Sequence, residues 1–363
     1  MDKGGASRRI KVLIVDDSPI YREALARGLA KEPAIEVIGS AADPFDARDL
    51  IPKLRPDVMI CDIEMPRMNG IAFIRRLLPQ YPLPVIVVSA IGGAVFEALQ
   101  AGAVDFVGKP DVRAAGGVER FMQQLTEKVK AAFQAKVTLA APASGRRSAE
   151  SWSASEPGPV PQSLAAPASQ GAYARDRVIV IGASTGGTEA IASILRRLPG
   201  TMPGIAIVQH MPPVFSGMFA ERLNRLTDLT VKEVETGDEL APGQVLIAGG
   251  GQHLKLCKDG GRYRAACFPG EKVNGHCPSI DVLFNSAARE CGGRAIGVLL
   301  TGMGYDGARG LLAMRRRGAV TIGQDERSSV VYGMPRAAFE LGAVGRQASL
   351  DDMPAILRRA AQD

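Results

Sequence analysis

Short runs of Val, Ile and Leu recur along this chain, each followed by a turn and an amphipathic stretch. That alternation restricts the fold to parallel α/β sheets. In the first part the runs are IKVLIV (10–15), IEVIG (35–39), DVMIC (57–61), PVIVV (84–88) and VDFVG (104–108). Helical periodicity fills the gaps near 18–31, 44–54, 70–79, 93–101 and 117–133. Strands that are apolar throughout need cover on both faces, and the intervening helices supply it. Five such units predict a doubly wound sheet with ligands at the carboxyl ends of its strands. The second part repeats the pattern with RVIVIG (177–182), a helix over 188–198, GIAIVQ (204–209), QVLIAG (244–249) and AIGVLLTG (295–302). Within it, HLKLCKDGGRYRAACF (253–268) predicts a β-hairpin turning at Asp259-Gly260-Gly261.

Composition divides the two parts. From 134 to 176 Ala, Pro, Ser and Gly dominate and apolar periodicity is lost, which predicts a flexible, partly extended linker. The single tryptophan, Trp152, falls there and is expected to be exposed. The expected organisation is therefore two doubly wound parallel-sheet domains, 1–133 and 177–363, joined by 134–176. A length of 363 residues suits two domains. The net charge of +6 is mild for this length, and no basic stripe interleaves with aromatics, so nucleic acid is not an expected partner. Five cysteines without a CxxC pair argue against a disulfide framework or a zinc site. No apolar run reaches 18 residues, and the first one is too short for a signal peptide. A cytoplasmic location without a membrane span is expected.

In the first part Asp16 and Asp17 follow the first strand, Asp62 follows the third, Ser89 ends the fourth and Lys109-Pro110 ends the fifth. A doubly wound sheet gathers these at one edge. Three crowded carboxylates are unfavourable unless a cation sits between them. Oxygen-only ligands point to Mg²⁺, and a carboxylate beside Mg²⁺ and Lys suits phosphoryl acceptance. Single aspartates after strands are ordinary turn formers; their coincidence at successive strand ends is not.

With these residues placed, 10–133 resembles a response-regulator receiver domain. The resemblance implies Asp62, in CDIEMPRMNG, as phosphoacceptor and Asp16 and Asp17 as the acidic Mg²⁺ pocket. It implies the Glu64 backbone carbonyl as a further ligand, Lys109 as partner of the phosphoryl oxygens, and Ser89 and Phe106 as switch residues. The segment after Ser89 is shorter than the family pattern, which leaves the surface of the fourth helix open.

The second part opens on Gly182-Ala183-Ser184-Thr185-Gly186-Gly187. A dinucleotide fingerprint needs Gly where Ser184 stands, and a P-loop needs a following GK[ST]. As GxSxG the segment puts Ser184 on a tight strand-to-helix turn, with free N–H groups and positive potential for an oxyanion. Many Gly-rich turns carry an idle serine, so a base is required. Only His210, His253 and His276 are available. His210 follows GIAIVQ and reaches the Ser184 edge if that strand is parallel to the first. Asp306, in TGMGYDG, follows another buried strand at the same edge. The chain order is then Ser–His–Asp, which is not that of an α/β-hydrolase.

The segments GASTGGTEAI, QHMPPVFSGMFAERLN, CPSIDVLF, LLTGMGYDGARGL and GMPRAA resemble the catalytic domain of chemotaxis protein-glutamate methylesterases, which carry a receiver in this order. The resemblance implies a triad of Ser184, His210 and Asp306, with the Met303 backbone N–H in the oxyanion hole. The N–H of Thr185 or Gly186 is added from the helix terminus. It implies hydrolysis of glutamate methyl esters on methyl-accepting chemoreceptors, releasing methanol, with deamidation of receptor glutamines as a related activity. No cofactor is expected for the ester step. A chemotaxis histidine kinase is the implied phosphodonor, and the unphosphorylated receiver is expected to cover the catalytic face. Tyr305 departs from the Asn of several relatives and is expected to alter pocket shape only. A DNA-binding regulator would need a short basic helical output, which 177–363 is not. A catalytically silent adaptor would not need Ser184, His210 and Asp306 together. A dehydrogenase fails on Ser184.

Overall fold

The computed structural model describes residues 8–90, 92–110, 116–137, 173 and 176–362. Trp152 and most of the expected linker lie outside these residues. The first sheet contains β1 (Ile10–Val15), β2 (Ile35–Ala41), β3 (Val58–Asp62), β4 (Val85–Ser89) and β5 (Asp105–Gly108). All pairings are parallel in the order β2-β1-β3-β4-β5. Its helices are α1 (Pro19–Leu29), α2 (Pro44–Leu54), α3 (Gly70–Leu77), α4 (Gly92–Gln100) and α5 (Gly117–Phe133). Their starts follow local chemistry: Ser18, Asp43 and Asn69 each cap a helix by accepting backbone N–H bonds. Ser89 ends β4 as expected, and Asp62 is the last residue of β3 rather than the first of the following loop, because the parallel ladder extends to it.

The second sheet has seven parallel strands in the order β14-β13-β12-β6-β7-β9-β8. They are β6 (Val178–Ala183), β7 (Gly204–Gln209), β8 (Thr230–Glu233), β9 (Gln244–Ile247), β12 (Ala295–Leu299), β13 (Val320–Gln324) and β14 (Arg346–Ala348). The hairpin is a separate pair, β10 (His253–Asp259) and β11 (Arg262–Phe268). It closes through Gly260 and Gly261, both at positive φ, as a type I′ turn requires. Among the described residues six α-helices complete this part: α6 (Gly187–Leu195), α7 (Pro213–Leu226), α8 (Ile280–Glu290), α9 (Ala308–Arg316), α10 (Met334–Glu340) and α11 (Met353–Ala360). The strand order reverses direction around β6, which lies between β7 and β12. That switch point is where open α/β sheets place their ligands. AIGVLLTG overruns the strand: β12 ends at Leu299, because Thr301 N donates to the Gln324 side chain instead of continuing the ladder.

One apolar cluster passes from the first sheet into the second through α4 and α7. Phe96 stacks on Phe219 at 5.8 Å and 18°, and Phe106 lies 4.6 Å from Phe215. The Arg222 guanidinium sits 5.4 Å over the Phe96 ring. The short segment after Ser89 thus leads into a helix whose surface is used against α7. The start of the expected linker is held as well: Lys136 N donates to Val330 O, and its ammonium pairs with Glu326.

Candidate active site

Two clusters stand at strand ends. In the first, Asp16, Asp17 and Asp62 each offer a carboxylate oxygen within 4.8 Å of the others. Lys109 Nζ lies 2.7 Å from Asp62 and 3.8 Å from Asp16. One ammonium against three carboxylates leaves excess negative charge. Burial raises the Asp16 carboxyl; the Ser18 N–H opposes this, and the Asp62 charge adds to it. Burial also works against the Lys109 ammonium, but the Asp62 hydrogen bond and charge hold it protonated. An oxygen-only donor set with excess charge fits a hard divalent cation. Glu64 follows on the β3 loop, its N–H 3.4 Å from Asp62 Oδ1. Ser89 and Phe106 are both buried.

The second cluster sits on β6, β7 and β12. The Ser184 turn is pinned from below: Ser184 N donates to Thr301 O at 3.0 Å, and Thr301 Oγ1 donates to Thr185 O at 2.9 Å. Gly186 has φ +77° and Val330 carbons at 2.7 Å from where a Cβ would stand, so only glycine turns the chain into α6 here. A Cβ on Gly302 would meet the Ser184 Cβ at 2.7 Å, which places the Thr301–Met303 loop directly against the serine. The parallel β6–β7 pairing sets Ala183 beside Gln209, and His210 N donates to Ala183 O. His210 therefore emerges next to Ser184, as the parallel-strand condition required. Its Nε2 lies 2.9 Å from Asp306 Oδ2. Its Nδ1 is buried without a hydrogen-bond partner.

Asp306 is 2% exposed. Besides His210 it accepts from Asn274 Nδ2, Ser279 Oγ, and the backbone N–H groups of Ile280 and Asp281. Burial pushes its carboxyl up. The bond and charge of His210, with Asn274 and Ile280, outweigh that and carry it well below the usual carboxylate range. Asp306 is thus an ionised group held in one orientation. His253 is not part of this cluster: Nε2 faces Glu271 O and Nδ1 accepts from Ser279 N, a satisfied core histidine. His276 stacks on His210, with centroids 3.7 Å apart. Tyr305 is 54% exposed and leaves the Asp306 contacts intact.

Sequence reasoning missed Gln209, Asn274, Ser279 and Thr301. The Gln209 amide donates to the carbonyls of both Ser184 and His210. Nothing local marks these polar residues; only the folded edge brings them together. It also missed Asp105, at the start of β5. Asp105 accepts from Thr185 Oγ1 at 2.6 Å and from Lys128 Nζ at 2.5 Å. The residue after Ser184 is therefore bonded to the first domain.

A receiver fold with an acidic pocket, joined to a parallel-sheet domain with a serine elbow at its switch point, defines a response regulator with an enzyme-like output domain. The family model for CheB methylesterase matches residues 179–357, and that for the response regulator receiver domain matches 12–115. A protein-glutamate methylesterase/protein-glutamine glutaminase 2 from Syntrophomonas wolfei is 53% identical over 95% of both chains. A protein-glutamate methylesterase/protein-glutamine glutaminase from Syntrophotalea carbinolica is 50% identical over 95% of this chain and 96% of its own. The crystal structure of the Thermotoga maritima CheB methylesterase catalytic domain superposes with a TM-score of 0.50 at 37% identity, covering 50% of this chain and 97% of that one. The chain belongs to the protein-glutamate methylesterase family, with a receiver domain at its N-terminal side.

Proposed function

We propose that this protein hydrolyses glutamate methyl esters on chemoreceptors, with Ser184 as nucleophile, His210 as base and Asp306 as its orienting carboxylate. The observation that carries the reading is His210, whose backbone emerges next to the Ser184 turn and whose ring has Nε2 bound to Asp306 and Nδ1 buried without a partner. Donation of Nε2–H to an ionised Asp306 leaves Nδ1 with its lone pair, ready for the serine proton. Ser184 Oγ attacks the ester carbonyl as His210 takes that proton. Asp306 stabilises the imidazolium. The N–H groups of Met303 and Thr185 flank the serine and serve the oxyanion. His210 returns the proton to the departing methoxide, so methanol leaves. Water, deprotonated by His210, then releases the glutamate carboxylate. The same acyl-enzyme steps on a glutamine side chain release ammonia, giving the deamidase activity.

Asp62 is the phosphoacceptor for a chemotaxis histidine kinase, with Lys109 positioned on the phosphoryl group. Mg²⁺ would be held by Asp16, Asp17, Asp62 and the Glu64 carbonyl, and would neutralise phosphoryl charge. Ser89 and Phe106 relay the change to the face packed on α7. The described residues contain no helix long and apolar enough to cross a membrane, and the reading takes the protein as cytoplasmic, meeting the receptors from that side. Residues 1–133 act as regulator, 177–363 as esterase, and 134–176 as connection.

The test is methanol release from methylated chemoreceptor membranes, with and without Mg²⁺ and a small phosphodonor. Release should rise with phosphodonor, and Asp62→Asn should abolish the rise while keeping the basal rate. A rise that persists in Asp62→Asn removes the phosphoacceptor assignment. Absence of methanol release from receptors of any type removes the esterase reading. The metal pocket makes a separate prediction. The folded-state Asp16 carboxyl is raised, chiefly by burial, so its ionisation costs stability as pH rises from the ordinary value of 3.8 through the raised folded one. Asp16→Asn should therefore melt above wild type in metal-free buffer at neutral pH. Mg²⁺ at about 100 times its Kd should stabilise wild type by about 2.7 kcal/mol and the variant less. Equal Mg²⁺ shifts in both would exclude Asp16 from the site.

A further inference from the structure

The turn over 273–276 touches both members of the His210–Asp306 pair. Val273 and His276 exchange backbone hydrogen bonds of 3.0 Å around Asn274 and Gly275, which have φ +53° and +84°. This is the two-residue hairpin that an Asn-Gly sequence favours. From it, Asn274 Nδ2 donates to Asp306 Oδ1 and Asp281 Oδ2, each at 2.8 Å. From its other end the His276 ring lies flat on His210, centroids 3.7 Å apart and planes within 12°.

We infer that His276 and Asn274 are positioning residues for the ester hydrolysis, His276 fixing the plane of the His210 ring and Asn274 the carboxylate of Asp306. The inference rests on the Ser184–His210–Asp306 reading. A ring tethered through one nitrogen can still swing its other nitrogen off the serine; a second ring packed on its face removes that freedom. The stack also matters for charge. His210 gains a proton during the reaction, and a neutral π face favours the cation that forms beneath it. A second imidazolium would oppose it. His276 is kept neutral: burial, then the neighbouring His210, push its pKa down to about 3, with Lys272 and Lys128 adding to the effect and Asp306 working against it. Asn274 performs the matching task on the carboxylate. Its amide supplies one proton to each of two buried carboxylates that would otherwise repel. The carboxyl of Asp281 is itself raised, by burial first, with Gly310 N–H opposing and Asp306 adding.

The experiment is steady-state methanol release by the full chain with phosphodonor, for His276→Ala, His276→Phe, His276→Gln and Asn274→Ala, beside Ser184→Ala. Misplacing a reacting group by about 1 Å costs up to about a hundredfold. His276→Ala and His276→Gln should lose about tenfold to a hundredfold in kcat with KM within about twofold, since only the reacting geometry is disturbed. His276→Phe, flat and uncharged, should recover most of kcat. Asn274→Ala should also lower kcat rather than raise KM. Wild-type kcat in His276→Ala overturns the inference, as does a His276→Phe no faster than His276→Gln. Should His276→Ala not fold, the Phe and Gln variants decide between the same outcomes. A Ser184→Ala variant that still released methanol would remove the triad reading itself. An inactive Ser184→Ala beside a wild-type His276→Ala removes only the inference.

Discussion

Ser184→Ala should reduce methanol release by at least about a thousandfold, because a nucleophile has no substitute within its own triad. The variant should keep its thermal midpoint. The backbone of the turn that carries Ser184 is held by Thr301, through its carbonyl and its hydroxyl, and by the Gln209 side-chain amide, and none of these bonds involves the serine hydroxyl. His210→Ala should fall to a similar residual rate, and the double variant should be no worse than either single one, since the two residues act as a unit. A double variant slower by the product of the two effects would mean that Ser184 and His210 serve separate steps. Asp306→Asn differs in kind. Asp306 accepts five hydrogen bonds at a buried site, so that variant should lose stability as well as rate, and melting curves would separate it from the other two.

The sheet, the elbow and the acidic pocket were legible because each is written locally. Branched aliphatic runs need cover on both faces, which fixes parallel strands and hence their common edge. Ser184, His210 and Asp306 then follow from counting which polar residues leave which strands. Asp16, Asp17, Asp62 and Lys109 follow in the same way. What supports them was not legible. Gln209 looks like the end of a strand, Thr301 like part of an apolar run, and Asn274 like a loop residue in NGHCPS. Their roles depend on contacts between segments 25 to 116 residues apart. His276 was visible as a candidate base, and only the fold shows it lying face to face with His210. The overlong expectation for β12 has the same origin. Leu300 and Thr301 are as apolar or β-branched as a strand prefers, yet Thr301 turns inward to hold the serine loop. Local propensity yields there to the site.

Phe96→Ala should raise methanol release in the absence of phosphodonor. The effect follows from how the first domain is fastened to the second. Phe96 stacks on Phe219 beneath Arg222, Phe106 packs on Phe215, and Thr185 beside Ser184 donates to Asp105. Asp105 and Phe106 are consecutive on β5, and Lys109, bonded to Asp62, ends the same segment. A change at Asp62 therefore reaches the neighbour of Ser184 along one strand. Burying a Phe side chain is worth about 1.5–3 kcal/mol. Part of the Phe96 burial is internal to the first domain, where it also meets Phe106 at 6.4 Å, so the lower end applies to docking. A loss of about 1.5 kcal/mol shifts a closed–open equilibrium roughly tenfold. The basal rate should rise by about that factor, and the further gain from phosphodonor should shrink correspondingly, since fewer closed molecules remain to be released. An unchanged basal rate in a folded Phe96→Ala protein would mean that α4 packing does not restrain the esterase. The Thr185–Asp105 bond would then be the contact to cut next: Thr185→Val removes its donor while keeping the branched shape.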